Sequence, residues 1–185
     1  MIENTIARRY AAALFDVATE NNCLEAVFSD MVLLSDVSKS NRDFTRMLHS
    51  PIINAEKKTA ILTSLFSGKV QNISLQFMVL ITRKRRESIV DLIAEAFVAQ
   101  YKAFKNIHVI TVLTAQPLND ANRKEILASV SKTVSGTIEL VEKVDPQLIG
   151  GYKLLYNNMV YDATVAKQIQ NFKREFKDNL YIKQF

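Results

Sequence analysis

Between Met1 and Asn106 the chain contains one proline, Pro51, and one glycine, Gly68. Glycine and proline are the strongest interrupters of a helix, so a stretch this poor in both is built for helices. Ala, Leu, Glu, Lys and Arg recur at helical spacing throughout it. The pattern predicts six helices, over about 3–21, 24–39, 42–48, 55–66, 70–84 and 88–104. The breaks have local causes. Asn21-Asn22 ends the first helix, and Ser40-Asn41 caps the third. Ser50-Pro51 forces an extended residue, Asn54 offers the next N-cap, and Ser67-Gly68 supplies a left-handed stop. Connections this short favour an antiparallel bundle.

After Asn106 the pattern changes. Ile107-His108-Val109-Ile110-Thr111-Val112-Leu113-Thr114 is β-branched and apolar on both alternating sets, which predicts a strand buried on both faces. Pro117 breaks it, Asn119 caps a helix to about Val134, and Gly136 precedes a strand over 137–144. Two further strands, over 152–156 and 159–161, are joined by Asn157-Asn158, residues that tolerate the positive φ of a tight hairpin. A last helix starts near Ala163. The expected fold class is mainly α: a six-helix bundle over 1–106, then a small α+β domain over 107–185.

Composition removes most catalytic chemistries. Of 185 residues only four are glycine, and there is no G-x-S-x-G elbow, no G-x-x-x-x-G-K and no G-x-G-x-x-G. The two histidines, His49 and His108, have no partner at metal-ligand spacing, and Cys23 is the sole cysteine. No cofactor and no metal are expected, and both histidines are assigned structural roles. Asp16, Asp30 and Asp36 are expected on solvated helix faces. The net charge of +5 is spread, with 24 Lys and Arg interleaved among 19 Asp and Glu, so nucleic acid is not an expected ligand. The most basic run, Arg83-Lys84-Arg85-Arg86, closes the fifth helix, where cations complement the helix dipole. The first residues lack a secretory or transit pattern, and no stretch has the length of a membrane span, so a cytoplasmic, non-integral protein is expected.

The apolar surface of two helices exceeds what a surface helix needs. On the first, Ile6, Ala7, Tyr10, Ala11, Ala13, Leu14, Phe15, Val17 and Ala18 cover an arc of roughly 200°, against a little over 100° for an ordinary amphipathic helix. The fifth has a main stripe of Ile73, Phe77, Leu80 and Ile81, with Leu75, Met78 and Val79 projecting elsewhere. Either both helices are central in the bundle, or together they leave a groove suited to a partner's amphipathic helix.

Ala7-Arg8-Arg9-Tyr10-Ala11-Ala12-Ala13-Leu14-Phe15, Ser50-Pro51 with Lys57 beyond, and the stretch from Phe77 to Phe97 with Arg86 resemble one family. It is the delta subunit of bacterial F-type ATP synthase, counterpart of the mitochondrial oligomycin-sensitivity-conferring protein. Val144-Asp145-Pro146-Gln147-Leu148-Ile149-Gly150-Gly151 resembles its C-terminal signature, continued by Val160-Tyr161-Asp162-Ala163-Thr164-Val165. Asn157-Asn158 stands where Gly-Asp is common and Thr164 where Ser is common. The resemblance implies a noncatalytic stator subunit that resists rotor torque. Its helical domain would hold the N-terminal helices of alpha subunits, and its C-terminal domain the C-terminal region of the b subunits. The site would then be peripheral, at the cytoplasmic face of the bacterial inner membrane. The residues this implies for the alpha contact are Ile6, Tyr10 and Leu14 on the first helix and Phe77 and Leu80 on the fifth. Asp145, Pro146, Gly150 and Gly151 are read as structural: a turn followed by backbone that larger residues cannot adopt. The alternative is a helical RNA-binding or regulatory module working through Arg83 to Arg86.

Overall fold

The computed structural model describes residues 2–131, 134–157 and 159–178. The chain is mainly helical with a small four-stranded sheet, and it divides into two compact units, 1–105 and 106–185. The first unit holds α1 (Ile2–Glu20), α2 (Leu24–Ser40), α3 (Arg42–His49), α4 (Ala55–Phe66), α5 (Asn72–Arg83), a 3-10 turn (Glu87–Ile89) and α6 (Val90–Phe104).

Its core is gathered from one face of each helix. Ala7, Ala11 and Ala18 let α1 lie close on α6, where Phe15 meets Phe97 and Phe104 at ring separations of 5.9 and 5.4 Å. Each large apolar side chain sealed this way contributes about 1.5–3 kcal/mol. Helix ends follow local chemistry. Asn22, at φ 52°, closes α1 with its own amide donating to the Thr19 carbonyl and that of Cys23 to Ala18. Arg85, at φ 56°, closes α5 the same way, with Arg86 N–H donating to the Ile81 carbonyl. Both are left-handed C-terminal caps, one of them on an arginine. Asn41 caps α3 by accepting from the Asp43 and Phe44 amides.

Two charges are buried in this unit, and one of them, Asp30, departs from expectation. Asp30 is 8% exposed rather than solvated. From α2 its Oδ2 accepts from the Gln71 amide (2.8 Å) and the Ser74 hydroxyl (2.6 Å), so it caps α5 across the unit. This external cap explains why α5 starts at Asn72 and not at residue 70. Asn54, in contrast, precedes α4 in extended geometry without capping it through its side chain. Lys58 is the second case: its ammonium is buried, donating to the Leu48 carbonyl (2.8 Å) and to Glu87 Oε1 (2.7 Å). Lys58 therefore ties α4 to the chain before Ser50-Pro51.

The second unit holds β1 (Ile107–Thr114), α7 (Asp120–Ser131), β2 (Thr137–Val144), β3 (Tyr152–Tyr156), β4 (Met159–Asp162) and α8 (Val165–Asp178). The strand order is β2-β1-β3-β4. β1 and β2 run parallel, Ile107 opposite Thr137, joined by α7; β3 is antiparallel to both β1 and β4. Ile110 and Val112 of β1 pack with Ile126 and Val130 of α7. Burial of β1 alternates: Ile110, Val112 and Thr114 are sealed while Val109 is exposed, so the strand is covered on one face and not on two. The hairpin after β3 has Asn157 at φ 44°; its partner in the expected turn, Asn158, lies outside the described residues. His108 bridges Tyr156 Oη (2.8 Å, through Nδ1) and the Ser135 carbonyl (3.2 Å, through Nε2). A carbonyl only accepts, so Nε2 donates to Ser135.

Candidate partner-binding surface

The surplus apolar arc of α1 resolves into two parts. Ala7, Ala11, Leu14 and Ala18 share one direction and form core. Ile6, Tyr10, Ala13 and Val17 lie on the adjoining flank; Ile6 and Tyr10 are half-buried, and Val17 is 42% exposed. Leu14 is 2% exposed, so of the five residues expected at the groove it is a floor residue and not a surface one. Its angular position coincides with the buried alanines, which is the physical reason.

On α5 the core direction is taken by Ser74, Met78, Ile81 and Thr82. Phe77 is half-buried at its edge, and Leu80 is 49% exposed. Ile81, read as part of the main stripe, is fully buried. α1 packs on α6 and α2, and α5 on α4 and α2, with little direct packing between α1 and α5. Just past the end of α5, the Arg86 guanidinium lies 5.7 Å from the centre of the Tyr10 ring. Leu80 itself lines a hollow with Thr63 of α4 and with Leu75, Val79 and Arg83 of α5.

In the second unit the expected signature is a set of backbone ties. The Asp145 amide donates to the Thr114 carbonyl (2.8 Å), and Asp145 Oδ1 accepts from the Gln147 amide (3.0 Å) in the turn that holds Pro146. The Gly150 carbonyl accepts from the Val165 amide (3.1 Å). Gly151 sits at φ +77°, where a Cβ would lie 2.4 Å from the Ala163 carbonyl oxygen. Asp162 accepts from the Thr164 hydroxyl (2.6 Å) and amide (3.0 Å), and the Thr164 hydroxyl accepts from the Lys167 amide (3.3 Å) at the start of α8. Those hydrogen bonds from Thr164, the hydroxyl first, hold the Asp162 carboxyl below its usual range.

The family model described as "ATP synthase delta (OSCP) subunit" matches residues 6–176. The chain belongs to that family. Among curated relatives, the ATP synthase subunit delta of Cytophaga hutchinsonii is 36% identical, the match covering 97% of this chain and 98% of the relative. The subunit delta of Syntrophomonas wolfei is 30% identical, with 96% and 97% covered. Of solved structures, a chain in the cryo-EM structure of the Toxoplasma gondii mitochondrial ATP synthase hexamer superposes with a TM-score of 0.71 at 25% identity, covering 94% of this chain and 98% of that one. Delta (OSCP) subunits are structural components of the peripheral stalk of F-type ATP synthase. Among the described residues no group of His, Cys, Asp and Glu is placed to hold a metal ion, and no helix is long and apolar enough to cross a membrane.

Sequence reasoning about this family member missed Asp30 and Lys58, and both left a signal. Asp30 is three residues after Val27 and four before Leu34, on the buried face of α2; Lys58 is four before Leu62 and eight before Phe66, on that of α4. A charge in phase with a core stripe is a candidate for a buried, paired charge.

Proposed function

We propose that this chain is the noncatalytic stator adaptor of its synthase. Residues 1–106 act as a six-helix bundle that holds the N-terminal helices of alpha subunits on the catalytic head. Residues 107–185 contact the C-terminal region of the b subunits. The assembly holds the protein at the cytoplasmic face of the bacterial membrane, peripherally, and it opposes rotor torque while proton flow drives synthesis. Tight, stiff interfaces suffice for that role, and the absence of G-x-S-x-G, nucleotide-loop and metal-ligand patterns in the sequence agrees with it.

One observation supports the reading. Leu80 and Val17 stay about half exposed on two helices with little direct packing between them, while Arg86, just past α5, reaches Tyr10 of α1; in this reading Ile6, Tyr10 and Phe77 border a seam between the two. An amphipathic helix laid into such a seam buries those side chains by the helix-in-groove mode. The test is calorimetric titration of a synthetic alpha-subunit N-terminal helix into the full chain. Tyr10→Asp and Leu80→Asp each put a charge where an apolar contact forms, and each is expected to weaken binding by about tenfold or more while circular dichroism stays unchanged. Wild-type affinity in both variants would take these residues out of the site. For the second unit, adding the soluble part of b to the full chain is expected to slow proteolysis beyond Asn106; equal cleavage rates refute that contact.

A further inference from the structure

β1 is apolar on both alternating sets, as a strand covered on both faces is, yet its unit covers only one of them. Ile110 and Val112 turn toward α7, and the strand residues packed with them, Ile138 and Leu140 of β2 and Tyr152, Leu154 and Tyr156 of β3, share that side of the sheet by register. The opposite face is apolar as well. Strand pairing sets Val141, Thr111, Leu155 and Val160 in one row across all four strands, with Val109 and Leu113 beside it. Val109 and Leu155 are 36% exposed and Val160 61%. α8 has the matching problem. Val165, Ile169, Phe172 and Phe176 form one stripe at helical spacing, and their exposure climbs in that order through 38, 48, 59 and 79%. A helix of 14 residues is marginal in water unless such a stripe is packed.

We propose that α8 is a strap hinged at its first turn, with a second position in which its stripe lies on the bare face of its own sheet. The anchor selects that face. Asp162 follows Val160 by two residues and shares its side of β4, where Lys153 meets it at 3.8 Å. Asp162 Oδ1 accepts from the Thr164 amide and hydroxyl, and the Thr164 hydroxyl in turn caps α8 by accepting from the Lys167 amide. α8 therefore starts from the bare-face side, and the climbing exposure is that of a rod held at its base and lifted at its tip. The sizes agree. From Val165 to Phe176 the stripe runs about 16 Å, and the row across the four strands about 14 Å. Docked, the strap seals Leu155 and Val160 and supplies the second cover that the composition of β1 calls for. Lifted, it offers the same stripe to another chain. The two states exclude each other, so the strap gates what this unit can bind through α8.

The experiment is hydrogen exchange and methyl NMR on the full chain. Docking is expected to slow exchange of the α8 amides beyond its first turn by about tenfold or more, and to give cross-relaxation between the Phe172 ring and the Val109, Leu155 and Val160 methyls. Val160→Lys and Tyr161→Lys alter adjacent residues, 61% and 63% exposed, on opposite faces of β4. Val160→Lys sets a cation on the bare face beneath a helix that carries Lys167, Lys173, Arg174 and Lys177, and is expected to abolish the α8 protection; Tyr161→Lys is expected to keep it. Unchanged exchange of the β1 amides checks that both variants are folded. Should Val160→Lys unfold the unit, Phe172→Leu keeps the apolar contact and removes only the ring, and is expected to shift the Leu155 and Val160 methyl resonances of an intact sheet. Fast exchange throughout α8 in the wild type, protection that Val160→Lys reduces no more than Tyr161→Lys does, or methyl shifts indifferent to Phe172→Leu overturns the proposal. Protection that grows with protein concentration overturns it too, since the helix on the face would then be a second copy's.

Discussion

Replacing Lys58 by Met tests whether a buried ion pair holds the first unit together. The Lys58 side chain is 2% exposed and that of Glu87 14%. Glu87 Oε2 is buried with no hydrogen-bond partner, so Lys58 Nζ, 2.7 Å from Oε1, is the principal compensation the carboxylate has. Lys58→Met keeps the volume of the stem and leaves that carboxylate alone. Breaking a buried pair from one side costs about 3–5 kcal/mol. The partial exposure of Glu87 argues for the low end, to which the stranded Leu48 carbonyl adds about 1 kcal/mol. At about 4 °C per kcal/mol for a unit near 100 residues, the melting temperature should fall by roughly 16 °C. Thermal and urea unfolding by circular dichroism measure the loss, and hydrogen exchange at α4 amides assigns it to the first unit. Lys58→Met with Glu87→Leu removes both charges and should recover most of the loss, since a buried pair contributes little relative to an apolar replacement. A single-variant loss below about 1 kcal/mol, or a double variant no better than the single, refutes the reasoning.

Asp30→Ala removes a helix cap and strands the fully buried Ser74 hydroxyl, and should cost about 2–4 kcal/mol by urea denaturation. Gly151→Ala meets the Ala163 carbonyl at 2.4 Å and the Thr164 Cα at 2.9 Å, and should destabilise the second unit by more than about 2 kcal/mol. Gly68→Ala, at φ +74° with open space around it, should cost only about 1 kcal/mol, the conformational part alone. Asp162 has a lowered folded-state pKa, so its contribution is present above the unfolded carboxylate range near ~4 and is lost as pH falls through the folded value. Thr164→Val should raise the Asp162 pKa in an NMR titration and flatten the acid side of the stability curve; an unchanged titration would show that the hydroxyl is not the cause.

Backbone conformation was the legible layer. The scarcity of Gly and Pro before Asn106 marks the helices, and the strands read over 107–114, 137–144 and 152–156 coincide with β1, β2 and β3. Asn21-Asn22 and Asn41 act where local chemistry puts them. What escaped depends on residues far apart in the chain. The start of α5 is set by Asp30, 41 positions earlier, and the entry to α6 tightens into a 3-10 turn where Glu87 reaches Lys58 across 29 positions. The arc of α1 was legible as surplus. Which part of it is surface was not, because Leu14 and Val17 differ only in angle, and the angle means nothing until α6 is known to lie on the Phe15 side.

The same logic explains why polar ties belong in a unit whose outward task is apolar. α5 carries apolar residues in many directions, among them Ile73, Leu75, Phe77, Met78, Val79, Leu80 and Ile81. A rotation by one residue, 100° about the axis, exchanges Leu80 at the seam for Val79 or Ile81 with little loss of hydrophobic burial. Packing alone is therefore a weak selector of which leucine faces out. The Asp30 hydrogen bonds to Gln71 and Ser74 are directional, and they hold the first turn of α5 at one rotation; the Arg85 cap and the Arg86 contact with Tyr10 hold its last. Asp30→Ala should consequently weaken binding of the alpha-subunit peptide even at temperatures where the variant is fully folded, and Asp30→Asn, which keeps one acceptor oxygen, should restore part of it. A folded Asp30→Ala chain with wild-type peptide affinity would mean that the core sets the rotation of α5 unaided.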